Sequence, residues 1–158
     1  MSEWWTNSDK GIVEKELVQA ILFEYDFYIE ENCEALSYGI CEWKNFEPHT
    51  KALDMGYSYD FTSEFEAMPG ITLSFFDDLA PLDKTDFGPK YQFSGYLELP
   101  GIDNLLKSYI FSGLLAIHEA FTELDESKLF ENINYEKGFM FVIGEHDTGE
   151  VYPLLIKE

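Results

Sequence analysis

The chain contains no arginine. Its ten basic side chains are all lysine, against 31 Asp and Glu, which leaves a formal charge of −21 over 158 residues. Arginine supplies the planar fork that grips phosphate and carboxylate in two-point fashion, so nucleic-acid recognition and phosphoryl clamping lose their usual side chain. The net charge is the stronger argument, because a bias in genome composition also removes arginine whereas −21 repels any phosphate backbone. Direct nucleic-acid binding is therefore not expected, and an anionic membrane surface is disfavoured for the same reason. Cysteine is scarce too. Cys33 and Cys41 are too few for a disulfide framework, and their C-x7-C spacing is neither a zinc nor a thioredoxin pattern. They read as two small buried hydrophobes with free thiols. No basic region followed by an apolar one opens the chain at "MSEWWTNSDKGIVEKELV", and no apolar stretch approaches the ~20 residues of a membrane span. The expectation is a cytoplasmic protein without membrane contact.

Catalytic signatures are missing as well. Nucleophile elbows, phosphate-cradling glycine loops and dinucleotide fingerprints are absent from the sequence. "HE" at His118–Glu119 begins like a zinc helix, but Thr122 stands where the second histidine is needed, so His118 reads as a satisfied core residue. "EHD", Glu145 to Asp147, reads as a polar hairpin tip, since neighbours on a turn point in different directions. No cofactor and no metal is expected. Asp77 and Asp78 follow the apolar run "GITLSFF", where a hydrolase often places a catalytic carboxylate; among 31 acids, such pairs also arise by chance. An enzyme is the minority reading.

What is present is a core. Hydrophobic residues make up 46% and aromatics 17%, so disorder is a poor reading despite the charge, and a chain of this size suits a single globular domain over residues 1–158. In "NSDKGIVEKELVQAILFEY", Ser8 or Asp9 can cap, and Val13, Leu17, Ile21 and Tyr25 recur at four-residue steps, which predicts an amphipathic helix. That helix either continues past Asp26 or breaks there; Ala35, Leu36 and Gly39 suggest a second helical segment ending at the glycine. Between residues 44 and 101, prolines and glycines punctuate short runs, "GYSYDF", "GITLSFF" and "YQFSGYLELPG", that read as strands. The alternation of Tyr91, Phe93, Gly95, Leu97 and Leu99 with polar or larger neighbours makes the last the clearest. From Ile102 a helical period returns with an apolar girth broad enough to predict burial on most sides. Residues 139–143 form a continuous apolar strand, and Val151 to Ile156 return beside it, with Pro153 requiring an edge or a bulge. The expected fold class is α+β: an antiparallel sheet with helices packed on one face and a C-terminal β-hairpin.

The acid is unevenly distributed. Between Lys15 and Lys44 lie Glu16, Glu24, Asp26, Glu30, Glu31, Glu34 and Glu42 with no cation, and between Lys51 and Lys84 lie Asp54, Asp60, Glu64, Glu66, Asp77, Asp78 and Asp83, again with none. A solvated acidic face explains the charge. It does not explain the interleaved rings Tyr25, Tyr28, Tyr57, Tyr59 and Tyr96, which suit an interface whose rings anchor while its carboxylates steer. The candidate partner-binding residues are therefore Glu24, Tyr25, Asp26, Tyr28, Glu30, Glu31, Glu34, Tyr57, Tyr59, Asp60, Glu64, Glu66, Asp77 and Asp78.

In size, charge and texture across the whole chain, the protein resembles the immunity proteins of bacterial toxin systems, including contact-dependent growth inhibition and related polymorphic toxins. That resemblance implies a cytoplasmic inhibitor that binds and neutralises a cognate, basic, nuclease-like toxin domain. "FEYDFYIEENCE", residues 23–34, would then face the toxin, and charge reversal at Glu30 and Glu31 would slow association without unfolding the protein. Two other classes share parts of the pattern. A nucleic-acid mimic or anti-defence protein would carry the same acidic surface, and a small hydrolase would use Asp77 or Asp78 in a closed pocket.

Overall fold

A computed structural model describes residues 18–26, 33–43, 53–54, 59–61, 70–83, 85–86, 95–131, 133, 135–146 and 150–158. Seven strands are described: β1 Val18–Tyr25, β2 Glu34–Trp43, β3 Leu53–Asp54, β4 Tyr59–Phe61, β5 Ile71–Thr72, β6 Tyr135–Glu145 and β7 Glu150–Ile156. A short helix, α1 Ala80–Asp83, and a long one, α2 Ile102–Glu126, lie between β5 and β6. The sheet order is β3-β7-β6-β1-β2-β4, with β5 also pairing with β2.

The fold is mixed α/β, and its sheet is mixed rather than antiparallel. β1 and β6 run parallel at the centre, from Ala20 opposite Met140 to Tyr25 opposite Glu145, while the other described pairs are antiparallel. Parallel neighbours need a crossover between them, and the chain between β1 and β6 includes α2, which packs on one face of the sheet. Local hydrophobic pattern reports a strand's faces and not its neighbour, so this pairing was hidden from the sequence. The C-terminal hairpin β6–β7 is present as expected.

The predicted first helix is, over its described part, the strand β1. Ile21, Phe23 and Tyr25 point to the helix side while Ala20 and Leu22 point to the far side, and all five are buried. A central strand covered on both faces reads as a continuous apolar run, which periodicity alone does not separate from a buried helix. The second helical segment is likewise strand, with Gly39 opposite Ile21 in mid-ladder. In the third expected strand, Gly95–Glu98 is a 3-10 turn, and residues 91–94 lie outside the described residues. "GITLSFF" is a strand only at Ile71–Thr72, followed by a 3-10 turn at Ser74–Phe76.

The helix-side core is ring-rich. Phe141 lies 4.6 Å from Phe130, 5.0 Å from Phe121 and 5.0 Å from Phe139 between ring centroids, and Phe23 stands edge-on to Phe121 at 5.5 Å. α2 contributes Leu106, Leu114 and Phe121 to this layer. Gly113 allows Phe75 to lie on the helix, since a Cβ there would come within 2.5 Å of the Phe75 ring. The far side holds a smaller cluster of Ala20, Leu22, Ile40, Met140, Val142 and Val151. Contrary to the expectation of burial on most sides, α2 leaves Leu105 64%, Phe111 48% and Leu115 56% exposed.

Pro153 sits at a bulge, as its missing donor requires. Val142 pairs with Pro153 and Phe141 with Leu155, so Leu154 is the extra residue, with its side chain buried. The Leu154 carbonyl accepts a hydrogen bond of 2.6 Å from Nδ1 of His118 on α2, which sets that ring's tautomer. His118 is thus satisfied but exposed at the sheet's border, not in the core. Lys157 pairs with Asp125 near the end of α2 and lies over the Tyr135 ring at 5.7 Å, tying the last strand to the helix.

Candidate functional site

Parallel pairing at the centre and antiparallel pairing beside it bring the ends of β1 and β6 together with the starts of β2 and β7. That end of the sheet collects acid. Glu24 lies opposite Leu36 on one side and Gly144 on the other; Asp26 follows β1, Glu34 opens β2, and Glu145 closes β6. By register, Asp54 of β3 also reaches this end, opposite Glu150.

The period of two then sorts side chains. Glu24 shares the far face with Ala20 and Leu22, and Glu34 and Leu36 share it with Tyr38 and Ile40. Leu36 is 54% exposed, an apolar side chain set among carboxylates. His146 closes the group: its backbone N–H donates to the Tyr25 carbonyl at 2.8 Å, and its Nδ1 lies 3.1 Å from Glu24 Oε2. A protonated His146 would offset one of these negative charges.

Tyr25 faces the other way. It is 4% exposed, its ring centroid 5.6 Å from that of Phe76, so it is a core residue and not the surface anchor expected of it. Burial, reinforced by Glu145, pushes its phenol well above the ordinary range, and it stays neutral. Cys33 is buried beside it, as the sequence suggested, with its thiol 3.8 Å from the Asp26 carbonyl.

Asp77 and Asp78 follow the 3-10 turn and lie on the helix side. The Tyr109 hydroxyl on α2 donates to Asp78 Oδ2 at 2.8 Å, and this bond pushes the Tyr109 phenol up. Asp78 is exposed and Asp77 half-buried, so Asp78 does not sit in the closed pocket expected of it. Tyr59 and Asp60 pair through β4 with Trp43 and Glu42, eight residues along β2 from Glu34, or about 26 Å at 3.3 Å per residue. Tyr59 and Asp60 therefore stand apart from Glu24, Asp26 and Glu34 along the sheet. Tyr28, Glu30, Glu31, Tyr57, Glu64 and Glu66 lie outside the described residues.

Leu36, Glu145, Asp54 and Glu150 were not among the sequence candidates. No local signal marks Leu36, whose exposure follows from its position in β2; Glu145 and Glu150 reach this end of the sheet only through strand pairing, and Glu145, opposite Tyr25, lies on the helix-side face. Among the described residues, no group of three or more His, Cys, Asp or Glu is placed to hold a metal ion. Compared with known proteins, the chain matches no family model, no curated protein and no solved structure. Among the described residues, no helix is long and apolar enough to cross a membrane.

Proposed function

We propose that the protein is an inhibitor of the immunity-protein kind, which binds a basic toxin domain through the acidic end of its sheet. One observation carries this reading: Glu24, Glu34 and the exposed Leu36 share one face at the strand ends, with Asp26 directly beyond them. Carboxylates held at the ends of paired strands present a negative potential at little ordering cost on binding, and an apolar side chain among them supplies a contact that excludes water. Such a surface would speed capture of a basic partner, towards about 10⁸–10⁹ M⁻¹s⁻¹ at low salt. The steering acids belong to the rim of this interface and Leu36 to its centre.

The test is a pull-down of the tagged protein from lysate of its source cell at low and then high salt, run beside the variants Asp26→Lys with Glu34→Lys, and Leu36→Lys. Retention of one basic protein by the parent chain, with slower association for the charge variants and faster release for Leu36→Lys, is the expected result. If the same protein is held equally by all three chains, this end of the sheet is not the site; if no basic protein is retained by a folded chain, the inhibitor reading fails.

A further inference from the structure

The outer face of α2 is the second surface that the fold leaves uncovered, and its chemistry is the reverse of the first. From Ser108 to His118, "SYIFSGLLAIH", there is no Asp, Glu or Lys in eleven successive residues of a chain whose net charge is −21. The side of the helix opposite Leu106, Leu114 and Phe121 presents Leu105, Ser108, Ser112 and Leu115, all exposed. Their spacing of three, four and three is that of a coiled-coil seam. The two serines are small enough for another helix to approach. Their hydroxyls already donate to carbonyls of their own helix, Ser108 to Asn104 at 2.8 Å and Ser112 to Ser108 at 2.9 Å, so burying them leaves no donor without an acceptor.

From this we infer that α2 is a self-association surface, on which a second copy of the chain docks with its own α2 antiparallel about a twofold axis near residue 110. Two copies at −21 repel each other on most approaches, and this uncharged strip is a face on which they can meet. The pattern is self-complementary in that register. Leu105 of one copy meets Leu115 of the second, Ser108 meets Ser112, and each pairing occurs twice, as a twofold interface demands. Glu119, one turn beyond Leu115, then falls opposite Gly101 of the second copy, where α2 begins with no side-chain cap and favours a negative charge. The seam from Leu105 to Leu115 is about 15 Å long at 1.5 Å per residue, a small interface, so the dimer is weak. It uses a different face from the acidic end and does not depend on the toxin-binding reading.

Salt separates the two surfaces, because it screens repulsion between like copies but weakens capture of a basic partner. Sedimentation velocity of the full chain over a concentration series, at about 50 and about 500 mM salt, should show reversible dimerisation that strengthens at the higher salt. Leu105→Glu and Leu115→Lys, each alone, should sediment as monomers with unchanged helicity and melting, since both side chains face water. An equimolar mixture of these two variants should dimerise again: it keeps one leucine pair and sets the introduced carboxylate against the introduced ammonium. A parent chain that stays monomeric at every concentration and salt, or single variants that dimerise like the parent, would overturn the proposal. A mixture that stays monomeric would overturn the antiparallel register.

Discussion

β1 and α2 carry two of the longest helix-like apolar patterns in the sequence, and the fold uses them in opposite ways. β1, between β6 and β2, is sealed on both faces, with Ile21 and Leu22 on adjacent positions equally inaccessible. α2 is a helix as its period predicts, yet it buries a narrow stripe and leaves leucine and phenylalanine in water. Apolar girth measured along the chain is therefore a poor guide to depth. A strand at the centre of a covered sheet buries apolar residues on both of its faces, whereas a helix resting on a sheet buries one side whatever its other side contains.

The sharpest way to break this contrast is in the ring cluster. Phe141→Ala should cost about 3–5 kcal/mol in urea melts, because the cavity lies among Phe121, Phe130 and Phe139. A loss near that of a surface position would show that the core is loosely packed. Next comes Tyr25, neutral in the folded state. The unfolded phenol ionises near pH ~10, so its contribution is full below that pH and is lost above it, at about 1.4 kcal/mol per pH unit. Melts between about pH 9 and pH 11 should show a steeper alkaline decline for the parent than for Tyr25→Phe; equal slopes would place the ring in water. His118→Ala removes the donor to the bulged Leu154 carbonyl and should cost about 1 kcal/mol, with local loss of amide-exchange protection in β7. At the other extreme, Leu115→Ala at monomer concentrations should change stability by no more than about 0.5 kcal/mol. A larger loss would mean that this face is covered within the single chain.

Where the chemistry of a residue dictates its local backbone, the sequence was legible. Pro153 demanded a bulge or an edge and sits at a bulge; the run at residues 139–143 is a fully buried strand; the period from Ile102 is a helix. The candidate site was legible in charge and not in geometry. Glu24, Asp26 and Glu34 do gather at one end, but Tyr25 turns inward by the same alternation that turns Glu24 outward, and Tyr59 and Asp60 fall at the other end of β2. Residue type sets how much acid the chain must keep solvated, and composition alone fixes that total.

The chain's own residues thus required an ordered core, a strong negative coat, the C-terminal hairpin and the long helix, because each rests on composition or on contacts near in sequence. Long-range pairing settled the rest. The parallel match of β1 with β6, the strand nature of residues 18–25, the acidic strand ends and the bare face of α2 all depend on partners more than a hundred residues apart in the case of β1 and β6. A side chain's burial is decided by what lies across from it in space, and its nearest neighbours along the chain do not carry that information.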